Sequence, residues 1–190
     1  MLDPQTGAVL GLWSNPTFDP NALATHDVDA GRAAYDLLNA AEGKPLLPKA
    51  YQEIYPPGST FKVVTGSTGV EDGSVTPTEP VYPTIRALDV PGTSRDLPNF
   101  GGSACGGTLF TILAKSCNTS FAQMGLDLGG EKMTAGAQAF GFNEPTPFDL
   151  ATATSRFPTD FTDDQPKLAQ SSIGQNDVAA TPCRWRSSRR

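Results

Sequence analysis

Histidine is almost absent from this chain of 190 residues, since His26 is the only one. A Ser–His–Asp catalytic arrangement would therefore rest on one histidine in a polar stretch. The net charge of −6 and the pI of about 4.7 argue against a nucleic-acid-binding surface. No apolar run approaches the roughly 20 residues that span a bilayer, and the first residues do not form a signal peptide. We expect any membrane anchor to lie outside this sequence.

Glycine and proline, by contrast, are abundant, with 19 and 17 residues, and they indicate many turns and long connections. Hydrophobic residues make up 38% and charged residues 18%, which is enough to form a core in one domain or a large piece of one. The pattern predicts a short buried strand over residues 7–13 and an irregular stretch over 73–107. It predicts helical segments at 31–41, from Ser59 onward, and at 108–115, 119–128, 131–140 and 165–170.

The first candidate for catalytic chemistry is the pair Ser59 and Lys62. A Pro-Pro-Gly sequence precedes Ser59, which predicts that the serine lies at the start of a helix. Residues i and i+3 share a helix face, and a buried lysine can stay neutral and act as a base toward a serine. The backbone N–H groups at the helix start would stabilise an oxyanion. The alternative is a solvated lysine on an amphipathic helix, and the tetrapeptide alone favours it.

The second candidate is the segment Ser116-Cys117-Asn118, which lies between two predicted helices. In a short non-helical connection residues i and i+2 point the same way. Ser116 would then relay a proton while Asn118 binds an amide of a substrate. A plain helix N-cap before Phe121 is the commoner explanation for such a segment.

Taken together, the two patterns occur in the order Ser-x-x-Lys and then Ser-x-Asn, which is the order found in penicillin-interacting serine enzymes. Residues 55–62 (YPPGSTFK), 115–121 (KSCNTSF) and 172–182 (SIGQNDVAATP) resemble the transpeptidase domain of a penicillin-binding protein, of the class B actinobacterial cell-division type. Residues 2–10 and 15–21 resemble its first strand and the loop after it. The resemblance extends over residues 2–182.

This resemblance implies an α/β (α+β) fold of the penicillin-binding transpeptidase and β-lactamase type. It implies D,D-transpeptidation of peptidoglycan stem peptides ending in D-Ala-D-Ala, with β-lactams as inhibitors and divisome proteins as further partners. The expected location is the extracytoplasmic face of the cytoplasmic membrane. Ser59 would form the acyl-enzyme, Lys62 would be the general base, Ser116 would shuttle the proton and Asn118 would bind the acyl amide. No nucleic acid is expected as a partner.

The third motif of these enzymes, Lys-Thr-Gly, does not occur in this sequence. We therefore expect an incomplete fold in which the helical part is retained and most of the central antiparallel sheet is missing, and we expect lost or strongly impaired activity. The predicted division is a partial transpeptidase domain over 1–182 and an unrelated tail over 183–190. The tail holds four of the eight arginines, and we expect it to come from a one-base deletion after the Pro182 codon.

Three other functions stay open at this stage: a catalytically dead remnant, a related serine β-lactamase or D,D-carboxypeptidase, and an unrelated secreted α/β domain. The cysteines leave two alternatives as well. If Cys183 belongs to the tail, then Cys105 and Cys117 form an even pair, either bonded or as a buried free thiol and a loop thiol. No cysteine spacing suits zinc and no acidic pair lies in a calcium loop, so we expect no metal and no cofactor.

Overall fold

The computed structural model of the chain describes residues 1–3, 5–146 and 148–187. The described helices are α1 Val28–Ala40, α2 Lys49–Gln52, α3 Lys62–Glu71, α4 Leu109–Ala114, α5 Asn118–Ala139, α6 Gln165–Ser171 and α7 Pro182–Ser187. The strands are β1 Tyr82–Ile85, β2 Ala87–Leu88, β3 Leu97–Pro98 and β4 Cys105–Gly107. The chain divides into two compact units. The first comprises residues 1–54, 146–153 and the residues from Thr181 onward, and the second comprises residues 55–145 and 154–180.

The core of the second unit forms where α3 packs against α5 and α5 packs against α6. Phe61, at the start of this helical core, is fully buried. Its ring stacks on Phe157 and meets the edge of Phe142, with 5.3 Å between the ring centroids in both pairs. Aromatic pairs in these geometries add to the free energy gained by burying their area. The predicted helix that starts near Ser59 is confirmed as a 3-10 turn, Gly58–Phe61, that runs on into α3.

Helix α5 is interrupted at Gly129, where φ is 83° and ψ is 162°. A residue with a side chain is strained at this φ, so glycine is the residue that allows the break. The two helices predicted at 119–128 and 131–140 are therefore confirmed as the two halves of α5. The helix predicted at 108–115 corresponds to α4, and the helical turn at 165–170 corresponds to α6.

The prediction of a wholly irregular stretch over residues 73–107 is wrong, because it contains the four short strands. Strand β1 pairs antiparallel with β4, and β2 pairs antiparallel with β3, giving two sheets of two strands each. The strands are between two and four residues long. Three of them contain proline or glycine, which weaken a strand: Pro83 in β1, Pro98 in β3, and Gly106 and Gly107 in β4. Such short strands leave no alternating pattern long enough to detect in the sequence.

In the first unit, the helix predicted at 31–41 is confirmed as α1, which begins earlier because Asp27 caps it. The buried strand predicted over residues 7–13 is wrong. Among the described residues of this region a single bridge forms, between Leu2 and Val9. The side chains of Leu10 and Trp13 are 61% and 73% exposed. Without a longer partner strand among the described residues, the apolar run stays on the surface.

The described part of the molecule is thus a mixture of helix and strand, as expected for the resembled fold. The expectation that a larger central sheet lies mostly outside this chain stays a prediction. The tail predicted at 183–190 falls partly in α7, in which Cys183 and Arg184 are buried. Its last three residues lie outside the described part, and its origin also stays a prediction. Among the described helices, none has the length and apolar character to cross a membrane.

Candidate active site

Ser59 lies in the 3-10 turn that precedes α3, and two glycines place it there. Gly58 has a φ of 55°, and its N–H donates to the Gly174 carbonyl over 2.9 Å. Gly174 has a φ of 72°, and a Cβ at this position would collide with the Gly58 carbonyl oxygen. Only glycine permits this close approach of the two backbones. The Ser59 side chain is exposed, at the end of the helix where N–H groups lack intrahelical partners.

Lys62 follows one turn later and is fully buried. Its Nζ donates to the Ser116 carbonyl over 2.7 Å, to Ser116 Oγ over 3.0 Å and to Asn118 Oδ1 over 2.7 Å. The Phe121 ring centroid lies 5.8 Å from the same nitrogen. The predicted residues Lys62, Ser116 and Asn118 are therefore brought together from α3 and from the start of α5. The alternative of a solvated lysine is wrong.

Burial lowers the pKa of Lys62 from 10.5 to about 8, because desolvation disfavours the charged ammonium. A lysine with this pKa carries a substantial neutral fraction at mildly alkaline pH. Its pKa is thus closer to the pH at which a general base works than the pKa of an exposed lysine is.

Ser116 owes its orientation to the turn between α4 and α5. Its φ of 56° is uncommon for a residue with a side chain. The N–H groups of Ser116 and Cys117 donate to the Leu113 and Ile112 carbonyls over 3.1 and 2.9 Å, which closes the end of α4. In this conformation both oxygens of Ser116 reach the Lys62 ammonium.

Asn118 is the first residue of α5 and is held from two sides. Its Oδ1 accepts from Lys62, and its Nδ2 donates to the Pro98 carbonyl over 3.1 Å. An asparagine amide carries two N–H donors, and Pro98 uses one of them. The same amide nitrogen can therefore present its second N–H to a ligand carbonyl.

Between Ser116 and Asn118, Cys117 forms a disulfide with Cys105 on β4. Of the two alternatives left open for these cysteines, the structure has the bonded one. Cys183 is the free cysteine, and it is buried in the first unit. The Ser116–Asn118 segment is thus linked covalently to the edge of a sheet.

A groove of about 420 Å³ lies beside Asn118, and Arg95, Gln170 and Gln175 are among the residues that line it. Sequence reasoning did not single out these three residues, because none belongs to a short motif. Gln175 falls within the resembling segment 172–182, which was the available signal. A larger cavity of about 510 Å³, between α5 and residues 159–162, contains none of the motif residues. Of these two cavities, the smaller one is lined by a motif residue, Asn118.

Comparisons with known proteins identify the family of this chain. The sequence-family model of the penicillin-binding protein transpeptidase domain matches residues 1–185. The chain is 42% identical to the peptidoglycan D,D-transpeptidase PbpA of Mycolicibacterium smegmatis over 186 residues, which is 95% of this chain and 37% of that protein. It is 40% identical to PbpA of Mycobacterium tuberculosis over 189 residues, with the same coverage.

Solved structures give the same result. The imipenem acyl-enzyme complex of penicillin-binding protein A from M. tuberculosis superposes with a TM-score of 0.89 at 38% identity, covering 97% of this chain and 42% of that chain. The D,D-transpeptidase domain from Eggerthella lenta superposes with a TM-score of 0.79 at 30% identity, covering 95% of this chain and 44% of that one. The chain thus spans well under half the length of these relatives. By its sequence and its fold, this chain belongs to the penicillin-binding protein transpeptidase domain family.

Proposed function

We propose that the chain is the acyl-transfer part of a class B D,D-transpeptidase, with Ser59 as the nucleophile. The observation that carries this proposal is the contact of one buried lysine, Lys62, with both Ser116 and Asn118. A buried base, a second hydroxyl and an amide converge one helical turn from an exposed serine. This set of groups fits acyl transfer better than any other reaction class.

In the proposed first step, neutral Lys62 takes the Ser59 proton and Ser59 Oγ attacks the carbonyl carbon of the penultimate D-Ala. The oxyanion forms at the start of the helix, where backbone N–H groups stabilise it. The C–N bond of the terminal peptide then breaks. The leaving D-Ala amine receives the proton from Lys62 through Ser116, which leaves an ester on Ser59.

The hydrogen bonds of Lys62 support the relay role of Ser116. A neutral amine has two N–H donors and one lone pair, so it cannot donate to all three present partners. The Ser116 carbonyl and Asn118 Oδ1 can only accept. The Ser116 hydroxyl is the partner that can turn and donate. Once Lys62 has taken the Ser59 proton, its ammonium has three N–H donors for these three acceptors. Ser116 Oγ can then accept from Lys62 and donate its own proton to the leaving group.

The proposed substrates are peptidoglycan stem peptides ending in D-Ala-D-Ala, with β-lactams as inhibitors that acylate the same serine. We place the reaction on the extracytoplasmic face of the cytoplasmic membrane, and we propose divisome proteins as partners of the whole protein. The imipenem and penicillin G acyl-enzyme complexes of M. tuberculosis penicillin-binding protein A support covalent reaction with β-lactams in that relative. The proposed roles of Ser59, Lys62, Ser116 and Asn118 rest on the geometry described above.

The sequence contains no Lys-Thr-Gly, and we propose that this slows the reaction of this chain. In the resembled family the strand with this motif helps to bind the substrate carboxylate, and the residues after it supply an oxyanion donor. Loss of one such donor typically lowers the rate about 10²–10³-fold. We therefore expect acylation that is slow but specific to Ser59.

Intact mass after incubation with penicillin G tests this function. The wild-type chain should gain the mass of one penicillin, and Ser59→Ala should gain none. Ser67→Ala, on the same helix, is the matched control and should react like the wild type. Absence of an adduct in the folded wild type would refute the proposal. A short-lived adduct with release of hydrolysed penicillin would instead identify a β-lactamase.

A further inference from the structure

We infer that Asn99 is a positioning residue for the Ser116–Asn118 segment and acts as a cap for α5 from a distant part of the chain. The inference rests on the proposed function, since it assigns Asn99 the task of holding groups that we assign to acyl transfer. Asn99 lies 20 residues before Thr119, between β3 and β4, and its side chain is only 4% exposed.

Every hydrogen-bonding position of the Asn99 side chain is used. Its Oδ1 accepts from the Thr119 N–H over 3.1 Å and from Thr119 Oγ1 over 3.3 Å. Its Nδ2 donates to the Ile85 carbonyl over 2.9 Å and to the Ser103 carbonyl over 3.1 Å. One amide thus joins the start of α5 to the end of β1 and to the loop before β4.

The first N–H groups of α5 need a hydrogen-bond acceptor from elsewhere in the chain. The first N–H groups of a helix have no intrahelical acceptor, and an N-cap side chain usually accepts from the second or third helical residue. Cys117 occupies the N-cap position of α5 and makes no side-chain cap bond. Its sulfur is committed to the disulfide with Cys105. Asn99 supplies the missing acceptor to Thr119, the second residue of the helix.

The same short segment also orients the proposed catalytic groups. Pro98 accepts from Asn118, and the next residue, Asn99, accepts from Thr119. Asn118 in turn accepts from Lys62, so the position of the helix start decides whether this contact forms. A displacement of about 1 Å in a group that positions a reaction can lower its rate about 10²-fold. Asn99 should therefore control acylation without touching the reacting atoms.

The chemistry of the site favours asparagine specifically. Asn99→Asp would keep the acceptors toward Thr119 and place a carboxylate oxygen against the Ile85 and Ser103 carbonyls. Asn99→Ala would leave all four partners without the amide. Thr119→Val, at a buried position, would remove one of the two bonds to Oδ1 and keep the backbone N–H bond.

Asn143 provides the matched control, since it is an asparagine in the same unit with a comparable side-chain role. Its Nδ2 donates to the Phe157 carbonyl and its Oδ1 accepts from the Phe157 N–H, both over 2.9 Å. Asn143→Ala should lower stability without releasing the start of α5. Urea unfolding of each variant corrects the measured rates for the folded fraction.

Two measurements test the inference on the full chain. The first is the second-order rate of Ser59 acylation by penicillin G. It should fall about 10- to 100-fold in Asn99→Ala, less in Thr119→Val, and less than about twofold in Asn143→Ala. The second is the pKa of Lys62, read from ¹³C-labelled lysine and assigned with Lys62→Arg. Water that enters around a displaced α5 should raise this pKa from about 8 toward 10.5 in Asn99→Ala, less in Thr119→Val, and not in Asn143→Ala.

The outcomes separate the two proposals. If the wild type forms no adduct at Ser59, the proposed function fails, and the pKa of Lys62 still reports on Asn99. If Asn99→Ala and Asn143→Ala give the same corrected rate, or the same Lys62 pKa, the positioning role is overturned and Asn99 only stabilises the fold. A lower rate and a raised Lys62 pKa confined to the Asn99 and Thr119 variants would confirm it.

Discussion

Helices α1 and α3 differ in capping and in burial, although the sequence predicts both. Helix α1 has 13 residues, none of them buried, and the Asp27 side chain caps it by accepting from the N–H groups of Asp29 and Ala30. Helix α3 has 10 residues, no side-chain cap and six buried residues. Its sequence includes two glycines and several β-branched residues, which are weak helix formers.

The difference shows that α1 is stabilised locally and α3 by tertiary packing. The Asp27 cap and the alanines of α1 act locally, whereas α3 depends on the neighbours that enclose it. The proposed base lies on the helix of the second kind. Its desolvation, and hence its lowered pKa, follows from the same packing that forms the helix.

The largest test of this comparison is Phe61→Ala against Tyr35→Ala. Phe61 is fully buried between two other rings, and its truncation should lower the free energy of unfolding by about 3–5 kcal/mol. Tyr35 on α1 is 52% exposed, and its truncation should change the stability by less than about 0.5 kcal/mol. Urea unfolding measures both values. Equal losses would contradict the division into a locally and a tertiarily stabilised helix.

The pH dependence of stability should report the burial of Lys62. Its pKa in the folded state, about 8, lies below its ordinary value of 10.5, so the unfolded chain binds more protons between these pH values. The cost of burying the charge is complete below pH 8 and disappears as the pH rises through 10.5. Stability should thus rise by on the order of 3 kcal/mol over this range relative to Lys62→Met. Urea midpoints in a Cys183→Ser background measure it, and parallel curves for the two proteins would contradict the prediction.

Glycine-to-alanine substitutions should have opposite signs in the two helices. A Cβ at Gly69 would lie 2.7 Å from Val75 Cγ2, so Gly69→Ala should destabilise the protein by about 1–3 kcal/mol. A Cβ at Gly31 in α1 would meet the exposed Thr25 methyl at 3.3 Å, and the higher helix propensity of alanine should stabilise by up to about 1 kcal/mol. Thermal unfolding of both variants measures these changes in stability. Stability changes of the same sign in both variants would contradict the prediction.

The smallest expected effect is the loss of the α1 cap. Asp27→Ala removes the acceptor of two helix N–H groups and should cost about 1 kcal/mol, confined to α1. Hydrogen exchange should show faster exchange of the α1 amides and unchanged exchange in α3. Asp36→Ala, in the middle of α1, keeps the cap and serves as the control. Faster exchange in α3 as well would show that the two helices unfold together.

The elements predicted correctly are those with a local signal. The helix from Ser59, α1, α4, both halves of α5 and α6 all follow from apolar spacing, caps and breakers. The predicted strand over 7–13 was wrong because an apolar run alone cannot supply a partner strand. The four short strands between residues 82 and 107 were missed because each is only two to four residues long, which leaves no alternating pattern to detect.

In the candidate site, too, the residues with a local sequence signal were predicted and those without one were missed. The motifs identified Ser59, Lys62, Ser116 and Asn118, because their spacing reflects one turn of helix and one short connection. Asn99 and Pro98 have no such spacing to the motifs. Their proposed positioning role depends on a loop that packs against the start of α5. No local sequence pattern indicates this packing.

The sequence by itself determined which residue types stand at which spacing: a serine before a helix, a lysine one turn later, and a serine and an asparagine around a cysteine. Those features depend on backbone conformation and side-chain chemistry, which act over a few residues. Only the tertiary structure decided that the lysine is buried, that it contacts Ser116 and Asn118, and that Cys117 is bonded to Cys105. Desolvation and hydrogen bonding between distant segments exist only after the chain has packed, and they are what bring Lys62, Ser116 and Asn118 together.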